Sequence, residues 1–73
     1  MNLAEHIEID NNKRFGKPIL KGTRICVADV LNWLANGMTR ESIISDFPEI
    51  SDMMINACLY YAASRENHLG FAS

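Results

Sequence analysis

Five of the seven basic residues of this 73-residue chain lie within residues 13–24, a stretch that contains no acidic residue. We call residues 13–24 the basic segment. It carries a formal charge of +5, whereas the rest of the chain carries −7, and together they give the net charge of −2 at pH 7. Such segregation of charge indicates a contact surface for an anionic partner. The basic residues are Lys13, Arg14, Lys17, Lys21 and Arg24.

Phosphates and carboxylates are the two anions that this segment could bind. Gly16 and Gly22 would let backbone N–H groups approach a phosphate closely. A P-loop is excluded, because the terminal Gly-Lys-Ser/Thr and the helix after it are missing. The alternative for Arg24 is a local pair with Asp10 and a structural Gly-Thr-Arg turn. We predict a DNA- or partner-binding set of Lys13, Arg14, Lys17, Lys21, Thr23 and Arg24, joined by Asn56.

Other reactive side chains do not form a recognisable site. Cys26, Cys58, His6 and His68 lack the spacing of metal ligands, and no Ser-His-acid or Cys-His motif is present. We therefore expect no metal, no cofactor and no enzymatic activity. No leader or membrane-length apolar run is evident, so we expect a cytoplasmic protein with no membrane contact. A domain this small is marginally stable alone, which favours a homodimer.

The basic segment must be positioned by short elements around it. Residues 5–10 alternate between apolar and acidic side chains, which predicts a strand. Residues 23–27 are predicted to pair with it, giving a β-hairpin over residues 5–27 whose loop is the basic segment. Val27, Val30, Leu31 and Leu34 have helical spacing, with Asp29 in the first turn and an end at Gly37.

Two more helices follow. Thr39 and Ser51 are candidate N-caps, and Pro48 separates the two helices. Apolar residues at helical spacing predict their buried faces: Ile43, Ile44 and Phe47, then Ile55, Cys58, Leu59 and Ala62. We predict one mainly α domain over residues 1–73, with a three-helix unit over 28–67 and a tail over 68–73 that includes Phe71. The short connection between the last two helices is typical of a homeodomain-like or winged-helix-like helix-turn-helix.

Several large side chains lie off the predicted core stripes and could form a dimer or partner interface. The alternative is ordinary core with scattered surface aromatics. The candidates are Ile7, Ile9, Trp33, Met53, Met54 and Tyr60. If the third helix entered the major groove of DNA, Asn56 would be its only plausible base reader, and Asp52 would oppose the phosphates.

The chain resembles the prokaryotic DUF433 family over roughly residues 7–63. The resemblance is carried by Ile7-x-Ile9-Asp10, by Gly16-Lys17-Pro18-Ile19-Leu20-Lys21-Gly22-Thr23-Arg24-Ile25, by Gly37-Met38-Thr39-x-Glu41-x-Ile43-x-x-Asp46-Phe47-Pro48 and by Ile55-x-Ala57-x-Leu59-x-Tyr61-Ala62. The family often has cysteine at Ile19, proline at Cys26 and acidic residues at Met53 and Met54.

The resemblance implies a homeodomain-like helix-turn-helix fold and a VapB-type antitoxin role in a type II toxin–antitoxin system, beside a PIN-like ribonuclease toxin. In such a pair, the basic segment would face the magnesium-binding carboxylates of the nuclease, and a dimer could also bind operator DNA. Two alternatives stay open. One is a protein-interaction module that never binds DNA, and the other is a stand-alone helix-turn-helix regulator.

Overall fold

A computed structural model describes the backbone of residues 1–69 and the side chains of residues 1–66. It contains two short strands, β1 (Ile7–Glu8) and β2 (Ile19–Leu20), followed by three helices. The helices are α1 (Val27–Ala35), α2 (Arg40–Asp46) and α3 (Asp52–Leu69), and single 3-10 turns occupy Leu3–Glu5 and Arg14–Gly16. The predicted order of a β-hairpin followed by three helices, mainly α, is confirmed.

The hairpin uses a different second strand from the one predicted. Ile7 lies opposite Leu20 and Glu8 opposite Ile19 in an antiparallel pair. Ile19 and Leu20 are fully buried, whereas residues 21–24 form a tight turn closed by the Thr23 N–H donating to the Leu20 carbonyl at 3.0 Å. Cys26 returns only as an isolated bridge to Ile19. The prediction of a strand over residues 23–27 is therefore wrong, because Thr23 and Arg24 belong to the turn and α1 already begins at Val27.

The helix ends follow local chemistry that the sequence indicated. The Cys26 N–H donates to the Asp29 carboxylate at 3.0 Å at the start of α1, and Gly37, with φ +94°, follows its end. Thr39 accepts from the Ser42 N–H at 3.1 Å, which caps α2. Ser51 caps α3 in the same way, accepting from the Met54 N–H at 3.2 Å.

Helix α3 differs from its prediction in length and in its buried face. It continues to Leu69 and so includes residues 68 and 69, which were predicted to belong to the tail; Phe71 lies outside the described residues. Leu59 was predicted to be core but is 42% exposed. Ala57 and Cys58 are both fully buried. Since each helical residue turns about 100°, Leu59 leaves the buried face on the side away from Ala57.

The core joins all three helices to the hairpin. Its fully or nearly fully buried members are Leu20, Val27, Val30, Ile43, Ile50, Ile55 and Cys58. Leu20 is the contribution of β2, and it anchors one end of the basic segment against the helices. The other end of the segment has no buried side chain before Ile19. The basic segment is therefore fixed to the core at its C-terminal half and emerges from it at residues 13–17.

Candidate partner-binding surface

The N-terminal half of the basic segment is a left-handed turn. Three consecutive residues have positive φ: Arg14 at 49°, Phe15 at 59° and Gly16 at 76°. The turn is closed by two backbone hydrogen bonds, from the Gly16 N–H to the Lys13 carbonyl at 3.1 Å and from the Lys17 N–H to the Arg14 carbonyl at 3.2 Å. The glycine has the freedom for this conformation, whereas the other two residues adopt it at an energetic cost.

Arg14 ties this turn to the rest of the domain. Its Nη1 donates to the Asp29 carboxylate at 3.1 Å and to the Arg24 carbonyl at 3.0 Å. The same carboxylate caps α1, so one acidic side chain holds both the helix start and the turn. Arg14, which the sequence placed among the partner-binding cations, is thus paired within its own chain.

Thr23 and Lys21 have local bonds with different consequences. The Thr23 hydroxyl donates to the Leu20 carbonyl at 2.8 Å and accepts from the Ile25 N–H at 2.9 Å, so its polar capacity is used by the turn. The Lys21 ammonium donates to the Ala4 carbonyl at 3.2 Å. A carbonyl carries no net charge, and the positive charge of Lys21 stays uncompensated by this bond.

The remaining cations, Lys13, Lys17 and Arg24, form no ion pair within the part of the chain that the structure describes. The predicted alternative of an Arg24–Asp10 pair is not among the ion pairs of the described residues, where the Asp10 carboxylate accepts from the Asn12 N–H at 2.9 Å. Among the five cations of the segment, Arg14 alone has a carboxylate partner in residues 1–66. Most of the positive charge of the segment is therefore not compensated by an ion pair within the described residues.

Lys17 also lies at the rim of a groove of about 280 Å³ between the segment, the start of α1 and the middle of α3. Tyr61 and Arg65 form the opposite side, with the Arg65 guanidinium 5.7 Å from the centre of the Tyr61 ring. The other lining residues are Pro18, Cys26, Val27, Ala28 and Leu31. No carboxylate lines this groove, which extends the positive surface beyond the basic segment.

The start of α3 does not have the features of a base-reading helix. Arg40 donates to the Asn56 side-chain oxygen at 2.6 Å and forms an ion pair with Asp52 at 3.4 Å. The Asn56 side chain is therefore bonded to Arg40, and Asp52 and Met53 are exposed beside it. Sequence reasoning missed Arg40, because its partners lie 12 and 16 positions away, which no local spacing indicates.

The predicted interface residues divide into two groups. Ile7, Trp33 and Met54 are half-buried against the core, and the Trp33 ring stacks on Phe47 with centroids 4.6 Å apart. Ile9 is 66% exposed, and Met53 and Tyr60 are each 51% exposed. Only the second group presents substantial apolar surface to a partner.

Phe15 was not predicted as a functional residue, yet it is 96% exposed. It lies between Lys13–Arg14 and Lys17, within the left-handed turn. The sequence did contain a signal, since Phe15 is the only aromatic residue inside the basic segment. The glycine and asparagine residues around Phe15 are typical of a simple loop, so the sequence did not single out Phe15 as a functional residue.

Potential catalytic groups are sparse in the described residues. No three His, Cys, Asp or Glu side chains come together there as metal ligands. Cys26 and Cys58 are both buried free thiols, and burial raises the pKa of Cys58 to about 11, so its unreactive thiol form dominates at neutral pH. None of the helices described, up to Leu69, has the length and apolarity needed to span a bilayer.

Comparison with known proteins establishes the family. The model of the family described as proteins of unknown function (DUF433) matches residues 7–62. The chain therefore belongs to the DUF433 family. No curated protein matches it.

One solved structure is similar in fold: the crystal structure of a DUF433 member from Anabaena variabilis at 2.00 Å resolution. The TM-score is 0.81 at 18% sequence identity. The alignment covers 90% of this chain and 65% of the Anabaena chain, so this chain spans just under two thirds of that protein. At this identity the likeness shows a shared fold and nothing of function.

Proposed function

We propose that this chain is an antitoxin-like, protein-binding domain whose basic segment docks onto acidic residues of a PIN-like ribonuclease and blocks it. The chain itself performs no catalysis in this account. The observation that carries the proposal is the state of the five cations. Four of them have no carboxylate partner in the described part of their own chain, on a domain that is acidic elsewhere.

A metal-dependent nuclease offers a matching surface, because its magnesium ions are held by clustered carboxylates. Lys17, Lys21 or Arg24 could pair with those carboxylates and compete with the metal. The exposed Arg24 guanidinium has no ion-pair partner in the described residues, so it breaks no existing ion pair when it binds a carboxylate of the nuclease. The inhibitor and the nuclease would meet in the cytoplasm.

The experiment is co-expression with the product of the adjacent reading frame, which the proposal expects to encode a PIN-like nuclease. The wild-type chain should relieve growth arrest caused by that nuclease and should copurify with it. The double variant Lys17→Glu/Lys21→Glu should lose both effects. The matched control Lys17→Arg/Lys21→Arg keeps the charges and should behave as the wild type. The absence of a nuclease gene beside this one, or full rescue by the Glu variant, contradicts the proposal.

Operator DNA is a second candidate ligand, because residues 47–51 join α2 and α3 by a short turn of helix-turn-helix type. The internal bonding of Asn56 and the exposed Asp52 and Met53 make it the weaker candidate. An electrophoretic shift with the native promoter at low salt tests it, since phosphate contacts are strongest there. We expect no shift by the chain alone. A shift that Lys17→Glu/Lys21→Glu abolishes would favour the DNA function instead.

Self-association is part of the proposal. Strand β1 pairs with β2 on one side only, and Ile9, directly after it, is 66% exposed. A two-fold pairing through this edge would bury Ile9 and bring two basic segments into one assembly. Sedimentation velocity should show a dimer for the wild type and a monomer for Ile9→Asp. A monomeric wild type at tens of micromolar would remove this element of the proposal.

A further inference from the structure

We propose that Phe15 is the apolar anchor of the basic segment and inserts into a recess beside the acidic residues of the partner protein. The inference deepens the function proposed above and rests on it. It assigns the segment a second kind of contact, in which the cations supply charge complementarity and one aromatic ring supplies buried area. Aromatic residues of this kind dominate the affinity of many interfaces.

Exposure is the first observation. Phe15 is the most exposed of the large hydrophobic side chains in the described residues, at 96%. A single exposed apolar residue is ordinary on a protein surface and carries little weight alone. The position of Phe15 carries more weight, because residues 11–14 before it are polar or basic and Gly16 and Lys17 follow it.

Backbone strain is the second observation, and it is independent of the first. Phe15 has φ +59°, and Arg14 before it has φ +49°. The left-handed conformation costs about 1–2 kcal/mol for a residue with a Cβ atom, whereas glycine or asparagine adopts it at little cost. Phe15 makes almost no contact that could offset this cost within its own chain. Phe15 therefore destabilises the folded domain, and strained residues of this kind occur at binding sites.

The turn around Phe15 is held in place. Arg14 bonds to Asp29 and to the Arg24 carbonyl, which fixes the residue just before the ring. Gly16, just after it, lies against Asn11, since a Cβ atom at this position would be 3.0 Å from the Asn11 side-chain oxygen. The backbone that carries the ring is therefore already fixed before binding, and binding would cost less conformational entropy. Arg14 acts here as a positioning residue rather than as a partner contact.

An acidic protein fits this surface better than a single-stranded nucleic acid. Proteins that bind single strands stack successive bases on several aromatic rings along one charged groove. Among the residues described, Tyr61 is the one other aromatic ring beside the segment, across the groove from Lys17. Trp33 stacks on Phe47, and Tyr60 is on the exposed face of α3, so no series of rings follows the segment.

The test measures the affinity of the wild type, Phe15→Ala, Phe15→Asn and Phe15→Trp for the PIN-like nuclease from the adjacent gene by titration calorimetry. We expect about 30-fold weaker binding for Phe15→Ala and Phe15→Asn, and near wild-type binding for Phe15→Trp. Leu59→Ala, which truncates an exposed apolar side chain on α3, is the control and should bind as the wild type. Phe15→Asn should also raise the melting temperature, by roughly 2–6 °C, because strain is relieved without loss of contacts.

The outcomes separate this inference from the function on which it rests. If the wild type does not bind the nuclease, the proposed function fails and the anchor fails with it. If the wild type binds and Phe15→Ala binds equally well, the anchor is refuted while the function stands. Binding of a fluorescent ten-nucleotide uridine RNA that Phe15→Ala abolishes would assign the ring to RNA and overturn the inference. A melting temperature of Phe15→Asn at or below that of the wild type would remove the argument from strain.

Discussion

The helical unit and the basic segment of this small domain differ in the burial of their side chains, in backbone conformation and in the pairing of their charges. Helices α1 to α3 contribute five of the seven side chains in the buried core, and each has a side-chain cap at its start. Residues 13–18 of the basic segment have no buried side chain, two non-glycine residues with left-handed backbone and two of the four cations that lack a carboxylate partner in the described residues. The comparison teaches that the buried core resides mainly in the helices, while the segment presents exposed and mostly unpaired positive charge.

The largest effect should come from the core. Ile55→Ala truncates a fully buried side chain and should lower the free energy of unfolding by about 2–5 kcal/mol. Leu59→Ala, four residues later on the same helix, is the matched control, because this side chain is 42% exposed. Its cost should stay at or below about 1 kcal/mol. Urea denaturation compares the two, and equal losses would mean that the buried face of α3 is wrongly placed.

Asp29 tests the link between the two regions. Asp29→Ala removes the cap of α1 and the partner of Arg14, and should cost about 1–2 kcal/mol. Asp29→Asn keeps an oxygen for the Cys26 N–H but removes the charge, and should cost less, since half-exposed ion pairs contribute about 0.2–1 kcal/mol. Thermal unfolding at low and high salt distinguishes the helix cap from the ion pair, because salt screens the ion pair. A fully wild-type Asp29→Ala would show that the segment is not held by this carboxylate.

The bond between Arg40 and Asn56 should contribute less. A double-mutant cycle of Arg40→Ala and Asn56→Ala should give a coupling of about 0.5–1.5 kcal/mol in the free energy of unfolding. The coupling reports a structural role for Asn56 within the helical unit. Zero coupling would leave Asn56 free to contact a ligand, and the DNA-binding candidate would gain weight.

The smallest effect near neutral pH concerns Cys58. Burial raises the pKa of this thiol from 9.0 to about 11, so the folded chain keeps the proton that the unfolded chain releases. This contribution to stability is complete below pH 9 and is lost as the pH rises towards 11. Urea denaturation of the wild type between pH 8 and 10.5 should show this decline, and Cys58→Ala should show less of it. An identical pH dependence in both proteins would contradict the assignment to Cys58.

The helices could be predicted from sequence because their signals are local. Thr39, Ser51 and Gly37 act within a few residues of the helix ends that they determine, and the apolar spacing of α1 defines its buried face directly. The second strand of the hairpin could not be predicted from local signals. Ile19 and Leu20 look like part of a loop beside Gly22, and only their burial against the helices makes them the second strand.

The candidate site was predictable in charge but not in geometry. Counting cations located the segment, yet the division of roles within it depends on contacts between distant residues. Arg14 lies 15 positions from Asp29, so no local pattern separates this positioning residue from the open cations. Phe15 was missed because its left-handed backbone and its exposure are properties of the folded turn. Trp33 was placed at an interface because its stacking partner, Phe47, lies directly after another helix, α2.

The most direct test of the central claim is the dissociation constant of the complex between this chain and the PIN-like nuclease, measured for charge-reversed and charge-conserving variants of the basic segment. The account predicts at least a hundredfold weaker binding for Lys17→Glu/Lys21→Glu, equivalent to about 2.7 kcal/mol, and unchanged binding for Lys17→Arg/Lys21→Arg. Both variants should unfold within about 0.5 kcal/mol of the wild type, because these side chains lie outside the core. Equal affinities for all three proteins would contradict the account.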